Sequence, residues 1–510
     1  MRKAKLPIAM ALVLAGCPAG RAAVLSCEKL AELVLPKATV TMAQPVAAGA
    51  FEPPMVPGAT KAPNREPFRN LPAFCRVAAT LTPSSDSEIK METWFPLSGW
   101  NGKFQGVGNG GWAGSISYGA LAGALTRGYA AASTDTGHTG GSGSFALGHP
   151  EKLIDFAYRA VHEMTVKSKV ILKAFYGSGP KFSYWVGCSN GGRQALHEAQ
   201  RFPSDYDGIV AGAPANFWTH LMSSHLWIAK AVHQDEASYI PPEKYGRIHK
   251  ALLHACDALD GITDGVLDDP RCCRFDPKVL ECKGADTGDC LTSSQVEAAR
   301  KIYGSAKIPQ TGKEIFPGLE RGSELGWAGL AGPKPFSVSL DYFKYVVAGN
   351  ADWDWQTIDF DREVALADRM DKGMLNAMEP NLKPFARRGG KLIIFMGWND
   401  QLIAPRSSID YYQRVAVALG GPAKTAASVR LFMVPGMNHC GGGDGPCIFD
   451  MLSALEQWVE QKKAPEQILA SHKTNGVTDR TRFLCPYPEV GRYKGSGSTD
   501  EAASFGCQAP

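Results

Sequence analysis

The chain has 510 residues, of which 44% are hydrophobic and 20% charged, with a formal charge of +4; this suits one large globular core with an inserted or appended subdomain. Arg2, Lys3 and Lys5 fall in a leader-like N-terminus, so the remainder carries only about +1. That balance excludes the strong basic footprint of a nucleic-acid binder.

In chain order, the basic start runs into an apolar stretch from Leu6 to Leu14 and then Leu14-Ala15-Gly16-Cys17. Residues 1–22 read as an export signal with two processing routes open: a lipid anchor at Cys17, as in a bacterial lipoprotein, or cleavage near Gly20-Arg21-Ala22. The apolar run is too short for a transmembrane segment. Either route exports the protein, as a secreted or periplasmic chain or as a membrane-anchored lipoprotein. In an exported chain, 13 cysteines argue for disulfides rather than metal thiolates, since no pair has zinc-like spacing with histidines.

After a Pro-rich extended stretch from Gln44 to Pro72, alternation predicts a strand over Ile89 to Pro96, a second over Lys103 to Val107 and a buried one over Tyr129 to Thr134. Leu153 to Phe175 is apolar at helical spacing and free of Pro and Gly, which predicts one helix. It leads to the apolar run Phe182 to Val186 and then Gly187-Cys188-Ser189-Asn190-Gly191, a G-x-S-x-G nucleophile elbow, followed by a helix from Asn190 to Gln200. Asp207 to Ala213 predicts the next parallel strand.

From Phe217 to Phe385 the alternation is lost in a region rich in Trp, Gly, Pro and Cys, which reads as an inserted lid. Regularity resumes with buried strands at Lys391 to Met396 and Val429 to Val434, a crossover helix at Ile409 to Leu419 and a closing helix at Phe449 to Lys462. The expected fold class is α/β: a doubly wound, mainly parallel sheet of α/β-hydrolase type with a large inserted lid domain. The expected division is 23–216 for the first part of the core, 217–385 for the lid and 386–510 for the rest of the core and a C-terminal tail.

Ester hydrolysis by serine needs a base, an acid to orient that base, and backbone donors for the oxyanion. Ser189 is the candidate nucleophile. Asp400 follows the strand Lys391 to Met396, and His439 follows Val429 to Val434, so the order Ser189, Asp400, His439 matches an α/β-hydrolase triad. Taken singly, Asp400 reads equally well as a helix cap and His439 as a solvated loop residue. For the oxyanion hole the candidates are the amide of Asn190 and one from Gly110 or Gly111 in the glycine loop Gly108-Asn109-Gly110-Gly111-Trp112. A serine–histidine hydrogen bond of about 3 Å brings Cys188 and Cys440, each beside a triad member, to within the Cα separation of about 4.4 to 6.8 Å that a disulfide tolerates.

These motifs resemble the tannase and feruloyl esterase family of α/β-hydrolases, which includes terephthalate monoester hydrolases. The resemblance runs from about Cys27 to the C-terminus. It rests on Gly187-Cys188-Ser189-Asn190-Gly191-Gly192-Arg193, on Gln200 to Pro214, on Asp400, and on Gly436-Met437-Asn438-His439-Cys440-Gly441-Gly442-Gly443. It implies a lid over the core, a Cys188–Cys440 disulfide and a structural calcium ion in the lid. The calcium ligands implied are Asp257, Asp260 and Asp264 with the backbone carbonyls of Ile262 and Val266, an all-oxygen set suited to a hard cation; on spacing alone these aspartates read as a turn cluster. The other implied disulfides are Cys27 with Cys75, Cys256 with Cys273, Cys282 with Cys290 and Cys485 with Cys507. Cys272 and Cys447 stay unassigned.

The lid should shape the substrate site, and Trp327, Phe336 and Phe343 are its candidate contacts, together with Tyr342 and Tyr345. A substrate with a free carboxylate would need an arginine fork; between Arg300 and Arg362 only Arg321 is available. The expected activity is serine carboxylic ester hydrolysis of a small aromatic ester, hydroxycinnamoyl or galloyl, through an acyl-enzyme and with no organic cofactor. Terephthalate monoesters, long-chain acyl esters and peptides are the enzymatic alternatives. A non-catalytic binding protein on a hydrolase scaffold is the other, and retention of all three triad residues argues against it.

Overall fold

The computed structural model describes residues 24–55, 64–112 and 114–509. The export signal and Cys17 lie outside the described residues.

The scaffold is a nine-stranded sheet. In chain order the strands are β1 (Ala38–Val46), β2 (Phe74–Leu81), β3 (Ile89–Pro96), β4 (Lys103–Val107), β5 (Ala130–Thr134), β6 (Phe182–Cys188) and β7 (Gly208–Gly212), then a lid hairpin β8 (Ala306–Lys307) and β9 (Glu314–Phe316), then β10 (Lys391–Gly397) and β11 (Val429–Val434). The sheet order is β1-β2-β3-β5-β4-β6-β7-β10-β11. The pairings β1–β2, β2–β3 and β3–β5 are antiparallel; from β5 through β11 every pairing is parallel. The central strands are mainly apolar because both faces are covered, β5, β7 and β10 being buried along almost their whole length.

One layer of helices, Ala160–Tyr176, Asn190–Arg201 and Arg406–Leu419, packs with Trp185, Leu392 and Ile394. The other, Tyr118–Thr126 and Met451–Gln461, packs with Tyr184, Val210 and Ile393. Helices on both faces and the parallel crossovers give the doubly wound sheet expected of the strand–helix alternation.

Four differences from the sequence reading have physical causes. The helix expected over Leu153 to Phe175 is in three parts, a helical turn at Pro150–Ile154, a π-helical turn at Asp155–Arg159 and the helix Ala160–Tyr176. Carbonyls of the π-turn are drawn aside: those of Phe156 and Ala157 accept from the buried Arg193 guanidinium at 3.2 and 3.0 Å. The lid is more regular than its composition suggests, holding the helices Trp218–Val232, Tyr245–Cys256, Ser293–Tyr303 and Phe360–Asp371. The edge strand β1 escapes the pattern because it is half exposed, with a bulge between Val40 and Met42. The tail is a small β-structure: β12 (Ile448–Phe449), β13 (Ile468–Thr474) and β14 (Val477–Leu484) form one sheet, β15 (Val490–Tyr493) and β16 (Phe505–Gln508) another.

Among the described residues there are five disulfides: Cys27–Cys75, Cys188–Cys440, Cys256–Cys273, Cys282–Cys290 and Cys485–Cys507. Cys272 and Cys447 are free thiols. No helix among the described residues is long and apolar enough to cross a membrane.

Candidate active site

Ser189 sits between β6 and the helix Asn190–Arg201 with φ 63° and ψ −123°. A side chain is rarely held there, and such a conformation costs about 1–3 kcal/mol. The turn is locked by the Ser189 amide donating to the Gly212 carbonyl at 3.0 Å and by the Ser189 carbonyl accepting from Arg193 and Ala215 at 3.0 and 3.1 Å. The flanking glycines follow from the same tight turn: a Cβ on Gly187 would stand 2.5 Å from the Gly191 carbonyl oxygen, and one on Gly108 would stand 2.7 Å from Gly191 Cα. The G-x-S-x-G pattern is thus a packing requirement of strand against helix and glycine loop.

Asp400 and His439 lie on loops after β10 and β11. The Asp400 carboxylate is fully buried; Oδ1 accepts from the amides of Leu402 and Ile403 at 2.9 and 2.8 Å, and Oδ2 pairs with His439 Nδ1 at 2.8 Å. The His439 amide donates to Gln401 Oε1 at 3.1 Å. Burial works to lower the imidazole pKa, but the Asp400 charge and hydrogen bond outweigh it and the net shift is upward from the ordinary value. Asp400 is therefore an orienting partner for the ring, more than a cap.

The Cys188–Cys440 bridge, with Cα atoms 6.0 Å apart, ties the residue before Ser189 to the residue after His439. Both face one cavity of about 430 Å³. The Ser189 hydroxyl makes no direct hydrogen bond to His439 among the described residues, a contact that in hydrolases often closes only around bound substrate.

Gly110, Gly111 and Asn190 line the same cavity. The amides of Gly110 and Gly111 donate to no other described residue, and Gly111 has φ 53°. Their loop is held firmly at both ends: Asn109 Nδ2 donates to the carbonyls of Ser115 and Thr134, its amide donates to Gln194 Oε1, and the Trp112 indole N–H donates to Val338 in the lid.

The lid closes the cavity with Trp218, Leu221, Met222 and His225 from one face of the helix Trp218–Val232, together with Phe336 and Val338; Leu402 and Ile403 of the Asp400 loop complete it. Of the five aromatic contacts expected, Phe336 lines the cavity and Trp327, Tyr342, Phe343 and Tyr345 do not. Trp327 is fully buried against Tyr245 and Tyr303, and Phe343 is fully buried against Tyr342 and Trp353, so both are lid core. The helical wall is legible in principle from the i, i+3, i+4, i+7 spacing of Trp218, Leu221, Met222 and His225; nothing in that spacing tells a cavity wall from core. Arg321 is spent elsewhere, donating to the Phe275 carbonyl at 3.0 and 2.9 Å and stacking on Tyr303. No Lys or Arg lines the cavity among the described residues.

Asp257, Asp260, Ile262, Asp264 and Val266 occupy one tight loop after the helix Tyr245–Cys256. Asp257 accepts from the amides of Asp264 and Gly265, Asp260 from those of Ile262 and Asp268, and Asp264 from that of Val266. Burial, and then Asp260 and Asp264, push the Asp268 carboxyl up to about 8; burial likewise raises Asp260. Arg482 and Arg480 reach Asp264, at 2.5 and 3.6 Å. Crowded, partly buried carboxylates with charge to spare fit a hard cation. Sequence reasoning missed Asp268 and the two arginines, which come from the tail. The sulfurs of Cys282 and Cys290, with Asp286 close by, are bonded to each other, and Asp286 pairs with Lys244, so that cluster is no thiolate metal site.

Strand order, the elbow after β6 and an Asp–His pair after β10 and β11 define the α/β-hydrolase class. The family profile for tannase and feruloyl esterase matches residues 75–508, and the chain belongs to that family; it is a carboxylic ester hydrolase. It is 39% identical to an uncharacterised esterase of Xanthomonas campestris pv. campestris, over 94% of this chain and 91% of the relative. It is 37% identical to a probable feruloyl esterase B-1 of Aspergillus flavus, over 84% of this chain and 85% of the relative. The crystal structure of feruloyl esterase B from Aspergillus oryzae superposes with a TM-score of 0.88 at 32% identity, covering 94% of this chain and 99% of that one.

Proposed function

We propose that this chain is an exported serine esterase that cleaves esters of aromatic acids through an acyl-enzyme. The observation that carries this reading is the convergence of Ser189, on its strained turn, and the Asp400-oriented His439 on one largely apolar cavity. His439 Nε2 takes the Ser189 proton as Oγ attacks the ester carbonyl. The amides of Asn190 and of Gly110 or Gly111 hold the oxyanion. Protonated His439 then gives its proton to the leaving alcohol; water, activated by the same ring, releases the acid. Asp400 keeps the ring oriented and stabilises its charged form throughout.

A cavity without a cationic side chain favours phenolic esters over terephthalate monoesters, whose free carboxylate would be desolvated without a partner. A calcium ion belongs to the same reading, held by Asp257, Asp260, Asp264 and the carbonyls of Ile262 and Val266. When bound it would supply structural cross-linking of the lid loop and takes no part in the ester chemistry. Five disulfides support export to an oxidising compartment.

The test is hydrolysis of methyl ferulate, methyl gallate and a terephthalate monoester by wild type and Ser189→Ala. Wild type should cleave at least one phenolic ester, and the variant should lose on the order of 10⁴-fold or more in kcat. Equal rates for the two proteins would overturn the assignment of the nucleophile.

A further inference from the structure

Gln194 is a buried polar residue to which the hydrolytic steps assign no task. It stands one helical turn beyond Asn190 on the helix Asn190–Arg201. Its side chain makes two hydrogen bonds, both to Asn109: Oε1 accepts from the Asn109 amide at 3.1 Å, and Nε2 donates to Asn109 Oδ1 at 3.2 Å. The surroundings fix which way both side-chain amides face. Asn109 Nδ2 meets the carbonyls of Ser115 and Thr134 at 3.1 and 2.9 Å, and a carbonyl can only accept. Asn109 Oδ1 must therefore face Gln194 Nε2, which leaves Gln194 Oε1 for the backbone N–H.

The amides read as the oxyanion hole come from segments far apart in the sequence, Asn190 on the elbow helix and Gly110 or Gly111 on the loop after β4. Up to Gly108, whose amide donates to the Val186 carbonyl at 3.0 Å, the pairing of β4 with β6 holds these segments in register. Beyond it, the Gln194–Asn109 pair is the one hydrogen-bonded link between glycine loop and elbow helix among the described residues. The two backbones touch there: a Cβ on Gly191 would stand 3.1 Å from the Asn109 carbonyl oxygen and 3.2 Å from Gly108 Cα. With its N–H held by Gln194, Asn109 has no amide to offer a substrate, and the donor falls to the glycines that follow.

We propose that Gln194 is a positioning residue, whose paired hydrogen bonds to Asn109 set the distance between the glycine loop and the Asn190 amide so that donors from both reach one oxygen. This rests on the esterase reading above and adds to it a residue that touches neither substrate nor reacting atoms. Binding of the aromatic group falls to the lid wall and should not depend on Gln194. Stabilisation of the tetrahedral oxyanion should.

The test follows kcat and KM for methyl ferulate, together with inhibition by two ligands. One is an arylboronic acid: Ser189 Oγ adds to boron, its proton passes to His439, and the adduct is tetrahedral and anionic. The other is ferulamide, whose carbonyl stays trigonal and neutral. Gln194→Met, of similar length but without hydrogen bonds, should lower kcat on the order of 10- to 100-fold, less than the roughly 10²- to 10³-fold for loss of an oxyanion donor itself. KM and ferulamide inhibition should stay within about 2-fold, while boronic acid inhibition weakens in step with kcat. Gln194→Asn, with the same groups on a side chain one methylene shorter, should also lower kcat, because Gln194 supplies position as well as polarity. Two results overturn the proposal: a kcat within about 2-fold of wild type in Gln194→Met, or equal weakening of both inhibitors, which would make Gln194 a general support of the cavity. If Gln194→Met does not fold, Gln194→Asn decides by the same readings. A wild type that neither cleaves the ester nor responds to the boronic acid is a different outcome, which sinks the esterase reading itself.

Discussion

Core and lid solve the problem of stability by different means, and the active site is assembled where they meet. In the core, parallel strands buried on both faces supply hydrogen bonds and apolar contacts together, and the candidate reacting residues sit on short loops at the strand ends. In the lid, aromatic clusters such as Tyr245, Trp327 and Tyr303, two disulfides and a crowded acidic loop hold helices that share no sheet with the core. Arg193 couples the two, donating to Phe156, Ala157 and the Leu375 carbonyl and lying 5.2 Å over Trp218. On the proposed function, the difference assigns chemistry and selectivity to separate parts. Changes in the core should alter turnover, and changes in the lid should alter stability or substrate choice.

The sharpest way to break that division is Asp400→Asn. The core reading expects a kcat lower by on the order of 10³- to 10⁴-fold with binding nearly intact, since the ring loses its orienting acceptor. It also expects a signature in pH. His439 must be neutral to act as base, so kcat/KM in wild type should rise with pH through an inflection above the ordinary imidazole value of about 6.5. In the variant the Asp400 charge is gone and burial remains, so the inflection of the residual activity should move down. A variant with an unshifted inflection would show that another group sets the limb.

Removal of the Cys188–Cys440 bridge should act next most strongly. It closes a span of 252 residues, for which the chain-entropy account gives about 5.5 kcal/mol against roughly 2.5 kcal/mol for the 8-residue Cys282–Cys290 span. Cys188→Ala with Cys440→Ala should lower activity on the order of 10-fold in protein still folded by circular dichroism, because Ser189 and His439 lose their direct brace. Cys282→Ala with Cys290→Ala should leave kcat within about 2-fold and lower only the melting temperature. Equal effects on turnover from the two pairs would erase the distinction between core brace and lid staple.

The same division decides what could be read from the sequence. Ser189, Asp400 and His439 were legible because each follows a mainly apolar strand, so local pattern placed them at one edge of a sheet. The cavity wall was not. Trp218, Leu221, Met222 and His225 occupy a helix face whose partner is set by a fold-back of the whole lid, and Trp327 and Phe343 look like contacts by composition while packing as core. The Asp257–Val266 loop was legible as a cluster of oxygen donors, whereas Arg480 and Arg482 join it through tertiary contacts from the tail.

Calcium removal tests the lid alone. If the acidic loop binds the ion at about 100 times its dissociation constant, the ion contributes about 2.7 kcal/mol, and chelation should lower the melting temperature by several degrees. Re-addition of calcium should restore it. Asp260→Asn should reduce that calcium-dependent shift while leaving the Asp400–His439 pair, and hence the acid limb of the pH profile, where it was. A melting temperature indifferent to chelator and to calcium would leave the acidic loop as a turn held by its own amide hydrogen bonds.

The smallest effect on activity, and the finest test of the division, contrasts two lid phenylalanines. Phe336 is only half-buried and borders the cavity. Phe336→Ala should therefore raise KM for methyl ferulate a few-fold, because the bound ring would bury less apolar surface, with little change in melting temperature. Phe343 is fully buried on Tyr342 and Trp353, so Phe343→Ala should cost about 3–5 kcal/mol of stability with KM nearly unchanged in the folded fraction. The two substitutions delete the same ring from the same domain. If their effects on KM and melting temperature were alike, the cavity wall and the lid core would be one packing unit, and selectivity could not be adjusted without loss of stability.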